Sequence, residues 1–159
     1  MANRVFVSCV EGTEEPAWLS SIEPFVQKVM QLTSFDGEEV SISFCGDSFI
    51  QTLNKNYRDI DSPTDVLSFE SGDSYEDEEG EWFCAGDIII SLETLPKNAE
   101  YFEVDLNSEL KRLLVHGLLH LNGMDHGEEH IEKGKEPECE MLVLQEKLLK
   151  ELTDEIIIA

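Results

Sequence analysis

The chain has 159 residues, 41% of them hydrophobic, and a formal net charge of -24 from 35 acidic and 11 basic side chains. That length and apolar content suit one globular domain spanning 1–159 and exclude a disordered chain. The acidity excludes a protein that coats nucleic acid through a broad basic face, and leaves room for a small local basic site.

The opening MANRVFVSCV has neither a basic leader nor a long apolar stretch, and no later run approaches the length of a membrane span. A cytoplasmic protein without membrane association is the expectation. Cys9, Cys45, Cys84 and Cys139 are scattered with no C-x-x-C pair, which points to reduced thiols.

Val5 to Val10 reads as a first strand. In PAWLSSIEPFVQKVM the residues Trp18, Leu19, Ile22, Phe25, Val26, Val29 and Met30 recur at helical spacing, with Pro16 suited to a first turn and Pro24 expected to kink or split the helix. Val40, Ile42 and Phe44 alternate with Ser41 and Ser43, the pattern of a half-buried strand. Asp47 is placed to cap a helix whose apolar positions are Phe49, Ile50, Leu53 and Tyr57. Strands follow at 65–69 and 82–92. Between them ESGDSYEDEEGE has no apolar face and lacks the EF-hand order of ligands, so a solvated hairpin loop is expected in preference to a calcium site.

From 107 the leucines at 110, 113, 114, 118 and 121, with Gly117, form one stripe, and Gly123 is placed to end that helix. Pro137 opens a final helix with Met141, Leu142, Leu148, Leu149 and Leu152 inward. The fold class is α/β (α+β): a single domain with a small mixed β-sheet of about four strands packed by helices.

The segment HGLLHLNGMDH holds His116, His120 and His126. On one helix, i and i+4 imidazoles project about 40° apart and can share a zinc ion. A chain reversal at Gly123 lets His126 return as third ligand, which leaves a fourth position for water, the catalytic arrangement. The competing reading is a solvent-facing pair without metal. His130, four residues past His126, is either a rival ligand or a surface residue. Zinc peptidases of this spacing carry a glutamate directly after the first histidine as general base, and here that position is Gly117. Peptide hydrolysis is therefore disfavoured. Phosphodiester hydrolysis stays open, because it demands charge neutralisation more than protonation of a leaving amine.

LNKNYRDIDSPTDVLSF places Lys55 and Arg58 after the second helix. Arg58 suits bidentate phosphate binding, and an internal salt bridge is the equal alternative in so acidic a chain. Thr64 and Asp65 fit a turn cap. Gly86-Asp87, opening the IIISL run, suits a bulge that brings Asp87 toward a cleft, or else a buried structural aspartate.

HGLLHLNGMDH, together with LNKNYR, SPTDVLSF and GDIII upstream, resembles the YbeY family of rRNA maturation factors over most of the chain from the Leu53 helix onward. Met124 departs from the aromatic usual there, and the acidic insert at 70–81 departs in length. The resemblance implies a zinc-dependent, single-strand-specific endoribonuclease that processes small-subunit ribosomal RNA, including its 3′ end, and serves ribosome quality control. It places the metal ligands on His116, His120 and His126, and the functional arginine on Arg58, with His116 and Arg58 as catalytic residues. Asp125 and Asp87 are candidates to orient a ligand histidine, and Lys55 with Arg58 to touch RNA. Its partners are single-stranded ribosomal RNA and the small subunit or its basic proteins. Two alternatives are a ribosome-assembly factor with a structural metal and, less favoured, a zinc peptidase.

Overall fold

The alternation in VSISF is realised as a strand whose two faces meet different surroundings: Val40, Ile42 and Phe44 are fully buried, while Ser41 and Ser43 are half-exposed. The computed structural model describes residues 2–33, 35–124 and 139–158. Its elements run β1 (Arg4–Cys9), α1 (Ile22–Leu32), β2 (Glu38–Cys45), α2 (Asp47–Arg58), β3 (Val66–Glu70), β4 (Ser74–Asp77), β5 (Gly80–Ser91), α3 (Thr94–Phe102), α4 (Leu106–Leu121) and α5 (Glu140–Glu151). Strand order is β1-β2-β5-β3, with β1, β2 and β5 parallel, and β3 and β4 each antiparallel to β5. No helix among the described residues is long and apolar enough to cross a membrane.

One face of the sheet carries the main core. Val5, Val40, Ile42, Phe44, Ile88 and Ile90 meet Phe25, Val26, Val29 and Met30 from α1, and Leu110, Leu114 and Leu118 from α4. Each buried leucine contributes about 1.5–3 kcal/mol over an exposed one, so α4 is held chiefly by this stripe. The other face has a smaller cluster, Cys45, Ile50, Leu67 and Ile89, under α2. Asp105 caps α4 by accepting from the Ser108 amide at 2.7 Å, and Gly123, at φ +83°, ends it by donating its N–H to the His120 carbonyl. The four cysteines carry no disulfide.

Among the described residues the sheet has five strands where about four were expected. The addition is β4, inside the acidic stretch expected to be loop. Its side chains are gathered by Arg4, which pairs with Asp77 and Glu79 at 2.7 Å each and lies 3.8 Å above the Trp82 ring. One distant cation thus orders a segment that has no apolar face of its own. Pro24 neither kinks nor splits a helix, because α1 begins at Ile22 and a first-turn residue needs no intrahelical donor. Gly46, not Asp47, is the N-cap of α2, and Asp47 instead accepts hydroxyl hydrogen bonds from Ser91 and Thr94 at 2.6 Å each. Phe49 and Tyr57 face solvent at 41% and 69% exposure because α2 overhangs the small second core, which needs only Ile50 and Leu53 from it. Pro137 lies outside the described residues.

Candidate functional site

His116 and His120 occupy consecutive turns of α4 and both are half-buried. Gly117 packs the same helix against Ile88 of β5, so the histidine row stands at the rim of the core and not within it. The two rings lie 4.7 Å apart between centroids, at 76° to each other, with their Nε2 atoms 3.1 Å apart. On its other side, His116 Nδ1 meets Oε1 of Gln145 at 2.8 Å. Gln145 comes from the buried face of α5 and is 0% exposed. An amide oxygen only accepts, so in this orientation of Gln145 the donor is Nδ1 and the lone pair of His116 lies on Nε2, on the side of His120.

This geometry fits a shared cation. Two tetrahedral ligands at zinc's bond length of about 2.0–2.1 Å stand roughly 3.3 Å from each other, close to the observed separation. Among the described residues, no group of three His, Cys, Asp or Glu side chains converges on one point. The third expected ligand, His126, lies outside them, as do Asp125 and His130.

Toward its N-terminus the same face of α4 continues as an ionic row. Glu109, 1% exposed, is paired with Arg112, whose other neighbour is Asp65 at 3.8 Å. Burial pushes the Glu109 carboxyl up, and Arg112 pulls it back only in part. Glu146 of α5 is likewise raised by burial, partly offset by Arg112. Asp65, expected as a turn cap, also accepts from Asn98 of α3 at 2.7 Å and from its neighbour's amide, Val66 N–H, at 2.8 Å. It joins β3, α3 and α4.

Arg58 ends α2, where the helix dipole favours a cation, and Asp59 caps it in the left-handed conformation at φ 58°. The chain has three arginines. Arg4 and Arg112 are committed to carboxylates, whereas Arg58 is exposed and has no carboxylate partner among the described residues. Of the two expectations for Arg58, the internal salt bridge is thus not formed with them. Lys55 makes one long, exposed contact to Asp61 at 3.9 Å. Beside them Tyr57 packs edge-on against Phe69 of β3, ring centroids 5.2 Å apart.

The expected bulge falls one residue earlier, at Ala85: β5 steps from Cys84 opposite Glu39 to Gly86 opposite Val40, and Gly86 and Asp87 pair in register with Val40 and Ser41. It does not bring Asp87 to the histidines. Asp87 is exposed and alternates with Ile88, which faces α4, so its carboxylate lies on the opposite side of the sheet. Although the residue is exposed, partial desolvation of its carboxyl, aided by the negative charge of Glu39, pushes its pKa up. The described side chain that meets His116 Nδ1 is Gln145, which sequence reasoning missed. Its one signal was a polar residue at an inward position of the last helix. Met124, half-buried, packs against the main core.

Residues 10–153 match the family model described as Endoribonuclease YbeY. Endoribonuclease YbeY of Treponema denticola is 53% identical over 153 residues, covering 94% of this chain and 93% of that protein. The Treponema pallidum protein of the same name is 49% identical over 148 residues, covering 92% and 88%. The solution structure of a Thermotoga maritima protein superposes with a TM-score of 0.61 at 25% identity, covering 95% of this chain and 90% of that one. By sequence over most of its length, and with the same fold around the α4 histidines, the chain belongs to the YbeY endoribonuclease family.

Proposed function

We propose that the protein is a zinc-dependent endoribonuclease that cuts single-stranded ribosomal RNA in the cytoplasm. Its roles would be small-subunit rRNA processing, including the 3′ end, and ribosome quality control. Family membership across the segment that holds the histidines carries the RNA assignment. The convergence of His116 and His120 Nε2 atoms supports the metal. His116 and His120, with His126 as third ligand, would hold it, and zinc so bound supplies a Lewis acid that makes water nucleophilic near neutral pH.

The chain's own residues supply the rest. Arg58, unpaired with described carboxylates on an exposed helix end, is available to neutralise charge gathering on the phosphorane oxygens. Lys55 is available to the flanking backbone. An unpaired strand can bend to bring one phosphodiester to a metal where a duplex cannot, which matches the single-strand preference. In so acidic a protein these few cations favour a selective encounter, and basic proteins of the small subunit would help to recruit it.

The test uses metal-replete protein purified free of contaminating nuclease, with single- and double-stranded RNA of the same sequence. Cleavage of the single strand, lost on chelation and restored by zinc, is the expected result. Equal turnover by wild type, Arg58→Ala and His116→Ala rejects the proposal. The charge of -24 favours a second reading, a non-catalytic assembly factor. Small-subunit binding that survives metal removal, with no cleavage by replete protein, would select it.

A further inference from the structure

We propose that Gln145 is a positioning residue: its buried amide oxygen fixes His116 in the Nδ1–H tautomer and so turns the Nε2 lone pair toward His120. The inference rests on the metal-centre reading above, and goes beyond it by assigning the group that makes His116 competent as a ligand.

Three observations carry it. Gln145 is 0% exposed, on the face of α5 that otherwise buries Met141, Leu142 and Leu148. Its Oε1 lies 2.8 Å from His116 Nδ1 across 29 residues of sequence. Its Nε2 is buried with no hydrogen-bond partner among the described residues. An orphaned buried donor is unfavourable, and leucine would fill a similar volume without it. Packing therefore does not explain an amide here; the oxygen's hydrogen bond does. The opposite amide orientation would donate to Nδ1, place the His116 proton on Nε2 and close that nitrogen to a cation. The two arrangements give opposite tautomers, so the assignment is measurable. Metal-bound histidines are commonly set in this way by an acceptor on the far ring nitrogen.

The experiment has two arms. Long-range ¹H–¹⁵N correlation on histidine-labelled, metal-free wild-type protein reads the tautomer, with His116 assigned by its loss in His116→Ala. A protonated Nδ1 is expected, and a protonated Nε2 overturns the proposal whatever the variants do. In the second arm, zinc affinity is measured by competition with a chromophoric chelator. Gln145→Leu is expected to bind zinc about 10–100-fold more weakly than wild type. Gln145→Glu, which keeps the acceptor oxygen and removes the orphaned donor, is expected to bind at least as tightly as wild type. A folded Gln145→Leu protein with wild-type affinity overturns the proposal while leaving the metal centre intact. Wild-type protein that binds zinc no better than a His116→Ala, His120→Ala double variant overturns the metal centre, and the proposal with it.

Discussion

A Cβ on Gly117 would stand 2.9 Å from Cδ1, 3.0 Å from Cγ2 and 3.1 Å from Cγ1 of Ile88. The position at which zinc peptidases of this spacing carry their catalytic glutamate is, in this fold, a close approach of α4 to β5. Gly117 is buried and Ile88 is 0% exposed, so neither partner has space to yield. The absent base is thus a packing requirement of the helix that carries the histidines. A peptidase reading fails on sterics as well as on chemistry.

It follows that Gly117→Ala should destabilise the protein despite alanine's better helix propensity. Overpacking a tight core costs about 1–3 kcal/mol, against a gain of roughly 1 kcal/mol from replacing a helical glycine. Ile88→Val removes the Cδ1 atom that makes the shortest contact. The double variant should therefore lose less than the two single losses combined, as read from urea midpoints at constant m-value. Additive losses would reject the contact. Gly117→Glu should fail to fold, and should not gain proteolytic activity.

The histidine pair, Gly123 and the leucine stripe were legible because each obeys a spacing of three or four residues within one helix. Features made by distant partners were not. β4 depends on Arg4, more than seventy positions away, and its own residues read as solvated acid. α3 escaped because only Leu95 and Ala99 are buried and Pro96 sits in its first turn, where it does no harm. Tyr57 has the right spacing for the core stripe of α2, but the core ends before it. Gln145 is the instructive case: a polar residue at an inward helical position gives its location and not its partner.

Glu109 should give the protein a distinctive acid-side stability profile. Its folded-state pKa lies above the ordinary value of 4.5, with burial the largest cause. Over the window that runs upward from about 4.5, the folded state binds more protons at this site than the unfolded state, so this site's contribution to stability falls as pH rises. Glu109→Gln stays neutral throughout. The unfolding free energy of the variant minus that of wild type should therefore increase with pH across that window and level off above it. The opposite slope, in a series of denaturant melts, would mean that pairing with Arg112 outweighs burial.

Arg58→Ala tests whether the unpaired arginine acts on the reaction or only on the surface. Removing one preorganised donor to transition-state charge costs roughly 10²–10³ in kcat. The expected result is a loss of that order on single-stranded RNA, with unchanged zinc content and an unchanged melting temperature. Arg58→Lys should recover only part of it, because an ammonium cannot hold two phosphate oxygens in a planar fork. A fall in zinc content, or no loss of rate, would count against the role assigned to it.

Metal binding should be visible as stability, independently of turnover. A ligand that binds only the folded state adds about 2.7 kcal/mol at a hundred times its Kd. Zinc should therefore raise the melting temperature of wild-type protein. It should leave His120→Ala nearly unmoved, since that variant keeps one Nε2 of a pair set 3.1 Å apart. Wild type and Arg58→Ala should respond alike, because Arg58 lies on α2, which packs on the other face of the sheet from α4. The histidines are half-buried at the rim of a core already closed by Leu114 and Leu118, so metal-free protein should still unfold in one cooperative step. A chain that is unfolded without zinc would move the metal from a reactive role to a structural one.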